Sequence, residues 1–202
     1  MNYGQLKKAL KALVDRPDMP LDQAGEFIQR AIANLERSRL RLGFQKKLLE
    51  RRMNGRAFKL KLPYDYLETI DLFDDVHPDS YGMTALTTWR KTPEYSHKPL
   101  AVTVEGDLWL RPTPGPQTTV SLHYYAEAPK LSVDTDENGW SKSASEAVIY
   151  TAARMAADFY QIDDGAKWGL QADREIALIQ EQDDAEEWSG DLSIALPYPN
   201  IC

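Results

Sequence analysis

One stretch of this chain has the residue types and spacing of a metal-binding loop. The run Asp134-Thr-Asp136-Glu-Asn138-Gly139 begins like an EF-hand calcium loop, in which alternate side chains supply oxygen ligands. Position twelve of such a loop holds a bidentate Glu, but here it is Ser145, and the nearest Glu is Glu146. Glu146 also completes a predicted capping box, Ser143-Ala-Ser-Glu146, at the start of a helix. The sequence therefore favours a plain turn before a helix, with calcium binding as the alternative.

The other residues that could do chemistry form no catalytic or zinc-binding pattern. The three histidines, His77, His97 and His123, are isolated in the sequence, whereas zinc needs three or four convergent ligands. The single cysteine, Cys202, lacks a nearby base and is consistent with folding in a reducing cytosol. The chain has no G-x-S-x-G, phosphate-binding loop or G-x-G-x-x-G motif. We therefore predict no enzyme activity, no metal and no cofactor.

The charges of this chain are separated along the sequence. The net charge is −7, but the segment from Arg30 to Lys61 has 11 Lys and Arg against 2 Asp and Glu. The segment from Asp134 to Asp191 has 15 Asp and Glu against 4 Lys and Arg. The two segments could pack within one monomer, join neighbouring copies head to tail, or expose the basic segment to nucleic acid. The candidate residues for a subunit interface or a DNA channel are Arg37, Arg39, Arg41, Lys46, Lys47, Arg51 and Arg52.

The elements that must position these residues are helices near both ends and strands between them. Apolar residues at helical spacing predict helices around Leu6–Val14, after an Asp22 N-cap, from Ile149 to Tyr160 and from Trp168 to Ile179. The predicted fold is α+β: a helical bundle with an inserted antiparallel β-sheet region and an extended C-terminal arm. The expected boundaries are 1–43 and 131–188 for the bundle, 44–130 for the insertion and 189–202 for the arm. No window is apolar enough to cross a membrane.

The middle of the chain reads as strands separated by turn residues. Asn54-Gly55 is a strong hairpin signal and predicts that Lys46–Met53 pairs with Arg56–Leu62. A second hairpin is expected around Glu105-Gly106-Asp107. The other predicted elements are a strand at Tyr66–Val76, a short helix around Met83–Trp89, the hairpin arms Leu100–Val104 and Leu108–Arg111, and a strand at Thr118–Tyr125.

The C-terminal arm is unusually apolar for a chain end. Apolar residues alternate along it, and Pro197 and Pro199 disfavour a helix. Fully extended, the segment would reach roughly 40 Å. It could dock in the groove of a partner or pack back as an edge strand on its own domain. The candidate docking residues are Leu192, Ile194, Leu196, Tyr198 and Ile201.

The order of several short motifs resembles a known family. Tyr3-Gly-Gln-Leu is followed by an Arg-rich helix, Ile32–Leu42, and by Phe58-Lys-Leu-Lys-Leu-Pro-Tyr-Asp-Tyr-Leu. Glu105-Gly-Asp-Leu-Trp-Leu-Arg-Pro-Thr-Pro comes next, then Leu122-His-Tyr-Tyr-Ala-Glu-Ala-Pro and Asn138-Gly-Trp140. Taken in this order over nearly the whole chain, they resemble the head-to-tail adaptor (connector) proteins of tailed bacteriophages, particularly the short-tailed, podovirus-type group.

The resemblance implies a structural virion protein assembled in the host cytoplasm. It implies a ring of about twelve copies beneath the portal protein, with a tail or nozzle protein below and a channel through which genomic DNA passes. It also implies that the C-terminal arm inserts against the portal, and that Asn138-Gly-Trp140 is a structural turn. Non-specific DNA contact is possible. The alternatives are an adaptor that degrades cell wall, as some relatives are assigned to do, and a DNA-binding regulator.

Overall fold

The computed structural model describes residues 1–38, 40–53, 58–76, 79–94 and 98–189. Residues 187–189 are described by their backbone alone. It confirms the α+β fold class, with helices towards both ends of the chain. The helices are α1 Tyr3–Val14, α2 Leu21–Arg37, α3 Leu86–Lys91, α4 Gly139–Ser143, α5 Ser145–Tyr160 and α6 Gly165–Ser189. The strands are β1 Lys46–Arg52, β2 Lys59–Lys61, β3 Tyr66–Asp74, β4 Gly82–Met83, β5 Leu100–Val104, β6 Asp107–Arg111 and β7 Thr119–Ala126.

The chain forms two compact units. Residues 1–43 and the chain from 129 onward form a helical unit, and residues 44–128 form a strand unit. In the helical unit α5 is central, since it packs against α1, α2 and α6. Alanines such as Ala152 and Ala156, both fully buried, let neighbouring helices approach closely, while Leu6, Leu10 and Ile28 fill the space between them.

Two helix starts differ from the sequence prediction. Helix α2 begins at Leu21 after Pro20, so Asp22 lies in the first turn and is not the N-cap. The predicted capping box at Ser143–Glu146 is also wrong, because Ala144 precedes α5 and makes no side-chain cap. The capping box lies one short helix earlier. There the Asn138 side chain accepts from the Ser141 N–H, and the Ser141 hydroxyl accepts from the Asn138 N–H, each at 2.9 Å.

The strand unit contains two small sheets around one core. The strand order is β1-β7-β3 in the first sheet and β2-β6-β5-β4 in the second. Every pairing is antiparallel except that of β4 with β5, which is parallel. Alternate residues of both sheets supply the buried core, which includes Leu60, Leu72, Leu108, Leu110 and Leu122.

The predicted pairing of the first two strands is wrong. β1 pairs with β7, from Lys46 opposite Tyr125 to Arg52 opposite Thr119, whereas β2 pairs with β6 in the other sheet. Asn54 and Gly55, the basis of that prediction, lie outside the described residues. Pairing with β7 places Leu49 against the shared core. Burial of apolar area against a distant strand is therefore what the observed pairing of β1 provides.

The second hairpin is confirmed. β5 and β6 pair from Leu100 opposite Arg111 to Val104 opposite Asp107. The connecting residues Glu105 and Gly106 both have positive φ, 49° and 83°, as a tight hairpin turn requires. The short helix predicted around Met83–Trp89 begins later than expected, at Leu86, because Met83 lies in β4 and pairs with Ala101 of β5.

Candidate functional site

The calcium-like segment is engaged in local structure. Asp134 forms an ion pair with Lys7 at 2.5 Å, and Asp136 accepts hydrogen bonds from the N–H groups of Ser132 and Val133. Those two hydrogen bonds lower the pKa of the Asp136 carboxyl. Across the described ranges, no three potential ligands among His, Cys, Asp and Glu are grouped to hold a metal ion. The geometry is that of a structural turn.

The neighbouring tryptophan ties this turn to the helical core. Trp140 is fully buried, and its indole N–H donates to Oε1 of Glu36 on α2 at 2.9 Å. Glu36 is one of the two acidic residues within the basic segment, and it too is buried. Its carboxylate therefore serves packing of the helical unit. Asn138-Gly-Trp140 is therefore structural, but it forms the N-cap and the start of α4, so the prediction of a plain turn is wrong at these residues.

Four of the seven candidate cations lie on β1, an edge strand of the first sheet. Lys46, Lys47, Arg51 and Arg52 all have exposed side chains, and Glu50 is the strand's one acidic residue. The two leucines between the cations, Leu48 and Leu49, differ in burial. Leu49 packs against the core, whereas Leu48 points to the other face and is 53% exposed. The strand thus presents positive charge around an exposed leucine.

The β1 cations are not equally available to a partner. Lys47 Nζ lies 2.6 Å from Oδ2 of Asp65, a buried carboxylate that also accepts from the Tyr124 hydroxyl at 3.2 Å. Burial, reinforced by the Asp65 charge, raises the pKa of Tyr124 to about 12. Arg52 donates to the Gln117 side chain at 3.2 Å, a contact between exposed groups. Lys47 is therefore held by an ion pair within the strand unit.

Of the remaining candidate cations, Arg37 is the last residue of α2 and Arg41 lies shortly after that helix. The Arg41 guanidinium donates to the carbonyl oxygens of Glu36 at 2.9 Å and Leu40 at 3.2 Å, so it stabilises the turn that follows the helix. Arg37 is exposed in the last turn of α2, and Arg39 lies outside the described residues. These positions belong to the helical unit and β1 to the strand unit. The seven cations therefore do not form one surface within a single unit.

The predicted docking arm follows α6, whose last residue is Ser189. Its candidate residues Leu192, Ile194, Leu196, Tyr198 and Ile201 lie outside the described residues. Docking by this segment therefore stays a prediction.

Sequence reasoning missed a feature of α6 itself. Leu170 and Leu178 are 72% and 43% exposed on its solvent side, where Glu181 and Asp184 are exposed too. Asp183 lies on the opposite side and accepts from the Gly43 N–H at 2.6 Å. The apolar spacing predicted a helix from Trp168 to Ile179 but did not identify these exposed leucines. A helical-wheel comparison could have found them, because these leucines do not fall on the helix face that contains the buried Trp168 and Ala172.

None of the helices in the described ranges combines the length and the apolar content needed to span a membrane. A family model described as SU10 adaptor protein matches residues 1–195. The match includes every helix and strand given above. A search of curated proteins found no match.

Proposed function

This chain belongs to the SU10 adaptor protein family, and from that premise we propose that it forms a ring joining the portal vertex to the tail of a short-tailed phage. The chain is a structural phage adaptor and a virion component that interacts with other head or tail proteins. In the proposed role, about twelve copies surround a channel for genomic DNA and assemble in the host cytoplasm. The observation that carries the proposal is the family match over nearly the whole chain.

The distribution of charge supports contact between copies. The helical unit has 20 Asp and Glu against 13 Lys and Arg, whereas the strand unit has 11 of each. The net charge of −7 is therefore carried entirely by the helical unit. Within the balanced strand unit, β1 is an exposed cationic edge. Surfaces of opposite sign on one chain favour a head-to-tail contact, which closes into a ring when the rotation between copies is suitable.

We propose further that residues 191–202 bind the portal protein. Alternate apolar side chains on an extended segment suit recognition by a groove or a sheet edge, and repetition around a ring multiplies a modest affinity. The test is to remove residues 191–202 and measure binding to purified portal particles. We expect the truncated protein to lose most of its portal binding while its circular dichroism spectrum keeps the intact protein's helical signal. Unchanged portal binding would contradict the role of the arm.

Point substitutions in the arm separate side-chain recognition from mere length. Leu192→Ser, Ile194→Ser and Leu196→Ser together remove one alternate row of side chains and should weaken portal binding at least tenfold. The matched control is Ser193→Ala with Ala195→Ser, which changes the other row without removing apolar bulk.

Two further assays test the alternative functions. A structural adaptor should not clear a suspension of purified cell wall, and it should bind DNA without sequence preference.

A further inference from the structure

β1 is the more open edge of the first sheet. The opposite edge strand, β3, has two register shifts, and the Leu72 carbonyl there already accepts from the Tyr81 N–H at 2.6 Å. β1 pairs with β7 without a register shift over its whole length. The Met53 N–H donates to the Thr118 carbonyl, so by alternation the backbone groups of Leu48 and Arg52 point away from β7. Regular edge strands of this kind are available to a partner.

The charges at the end of β1 are not balanced across the sheet. Arg51 lies opposite Val120 and Arg52 opposite Thr119, so neither has a carboxylate as its cross-strand partner. Together with the exposed Leu48, these two arginines form a surface that we call the cationic strand edge. It combines one apolar contact with two guanidinium groups that can bind carboxylates in a bidentate manner.

The C-terminal half of α6 has the complementary character. Leu178, Glu181 and Asp184 are exposed and lie three residues apart, so they share one side of the helix. We call this surface the acidic helix stripe. After Arg174 the helix contains acidic residues but no Lys or Arg. Negative side chains near a helix C-terminus are disfavoured by the helix dipole. A departure from such a local preference commonly marks a functional surface.

We infer that the cationic strand edge of one copy binds the acidic helix stripe of the next copy. This inference rests on the proposed ring and identifies the two surfaces that would form its subunit contact. Along β1, Leu48 and Arg52 share one face and Arg51 lies on the other, so the two guanidinium groups flank the open edge of the strand. Because the two surfaces differ, the contact is heterologous and each copy uses both of them.

Charge reversal tests the inference on the full chain. Arg51→Glu with Arg52→Glu, and separately Glu181→Lys with Asp184→Lys, should each weaken association between copies at least tenfold. Association is measured by native mass spectrometry and electron microscopy, on the free protein and on portal particles. The matched control is Arg90→Glu with Lys91→Glu. It changes the net charge by the same amount and in the same direction as the arginine reversal, at an exposed site on α3, and it should leave association unchanged.

Mixing the two reversal variants is the decisive measurement of this experiment. Each variant alone brings like charges together, but in a mixture the reversed strand edge of one meets the reversed helix stripe of the other. We expect rings to reform in the mixture with the two variants alternating. If the folded variants assemble like wild type, or if the mixture does not recover, the inferred contact is wrong. If wild type forms no ring even on portal particles, the proposed ring itself fails, and this inference fails with it.

Discussion

Within the part of the chain that the structure describes, three buried carboxylates each accept a hydrogen bond from the side chain of a buried aromatic residue. The pairs are Tyr124 to Asp65 at 3.2 Å, Tyr81 to Asp74 at 2.7 Å and Trp140 to Glu36 at 2.9 Å. A buried carboxylate without a partner is costly, and an aromatic donor satisfies it while also filling space in the core. These pairs support the packing of both units.

The Tyr124 pair gives a prediction for alkaline pH. Burial raises the pKa of Tyr124 to about 12, above the value of about 10 expected in the unfolded chain. The folded state therefore keeps a proton that the unfolded state loses. This contribution to stability is complete below pH 10 and disappears as the pH rises towards 12. Tyr124→Phe should cost about 1–2 kcal/mol at neutral pH and flatten the fall in stability above pH 10.

Urea unfolding at a series of pH values measures both effects. Tyr64→Phe is the matched control at neutral pH, because the Tyr64 side chain is fully exposed. It should leave the stability at neutral pH unchanged. An unchanged slope above pH 10 in Tyr124→Phe would show that another group governs alkaline unfolding.

At the level of elements, the β5–β6 hairpin depends on its turn. Gly106 has φ of +83°, a conformation that side chains with a Cβ disfavour, and nothing else lies within 4 Å of the position a Cβ would take. Gly106→Ala should therefore destabilise the protein by about 1 kcal/mol through backbone strain alone. Gly115→Ala is the control, since its φ lies outside the positive region and a Cβ there makes an ordinary contact. Equal losses in the two variants, measured by thermal unfolding, would contradict the strain argument.

At the scale of the whole molecule, the strand unit has a core of its own. All residues of its main apolar cluster, from Met53 to Ala126, lie within residues 44–128. We expect the excised fragment 44–128 to fold and to unfold cooperatively in urea. Leu122→Ala should destabilise the fragment by about 2–5 kcal/mol, since Leu122 is fully buried in this cluster. A fragment without a cooperative transition would show that the unit needs the rest of the chain.

The sequence by itself determined the α+β class, the four longer helices towards both ends of the chain and how the β5–β6 hairpin turns. These features depend on local periodicity and on residues such as Gly106, whose preferences act within a few positions. Only the tertiary structure decided that β1 pairs with β7 and that Lys47 is held by Asp65. It also decided that Glu36 receives the Trp140 indole and that Leu178 faces solvent beside Glu181. Each of these depends on which distant segment buries or neutralises a side chain, and the local spacing of residues does not specify that segment.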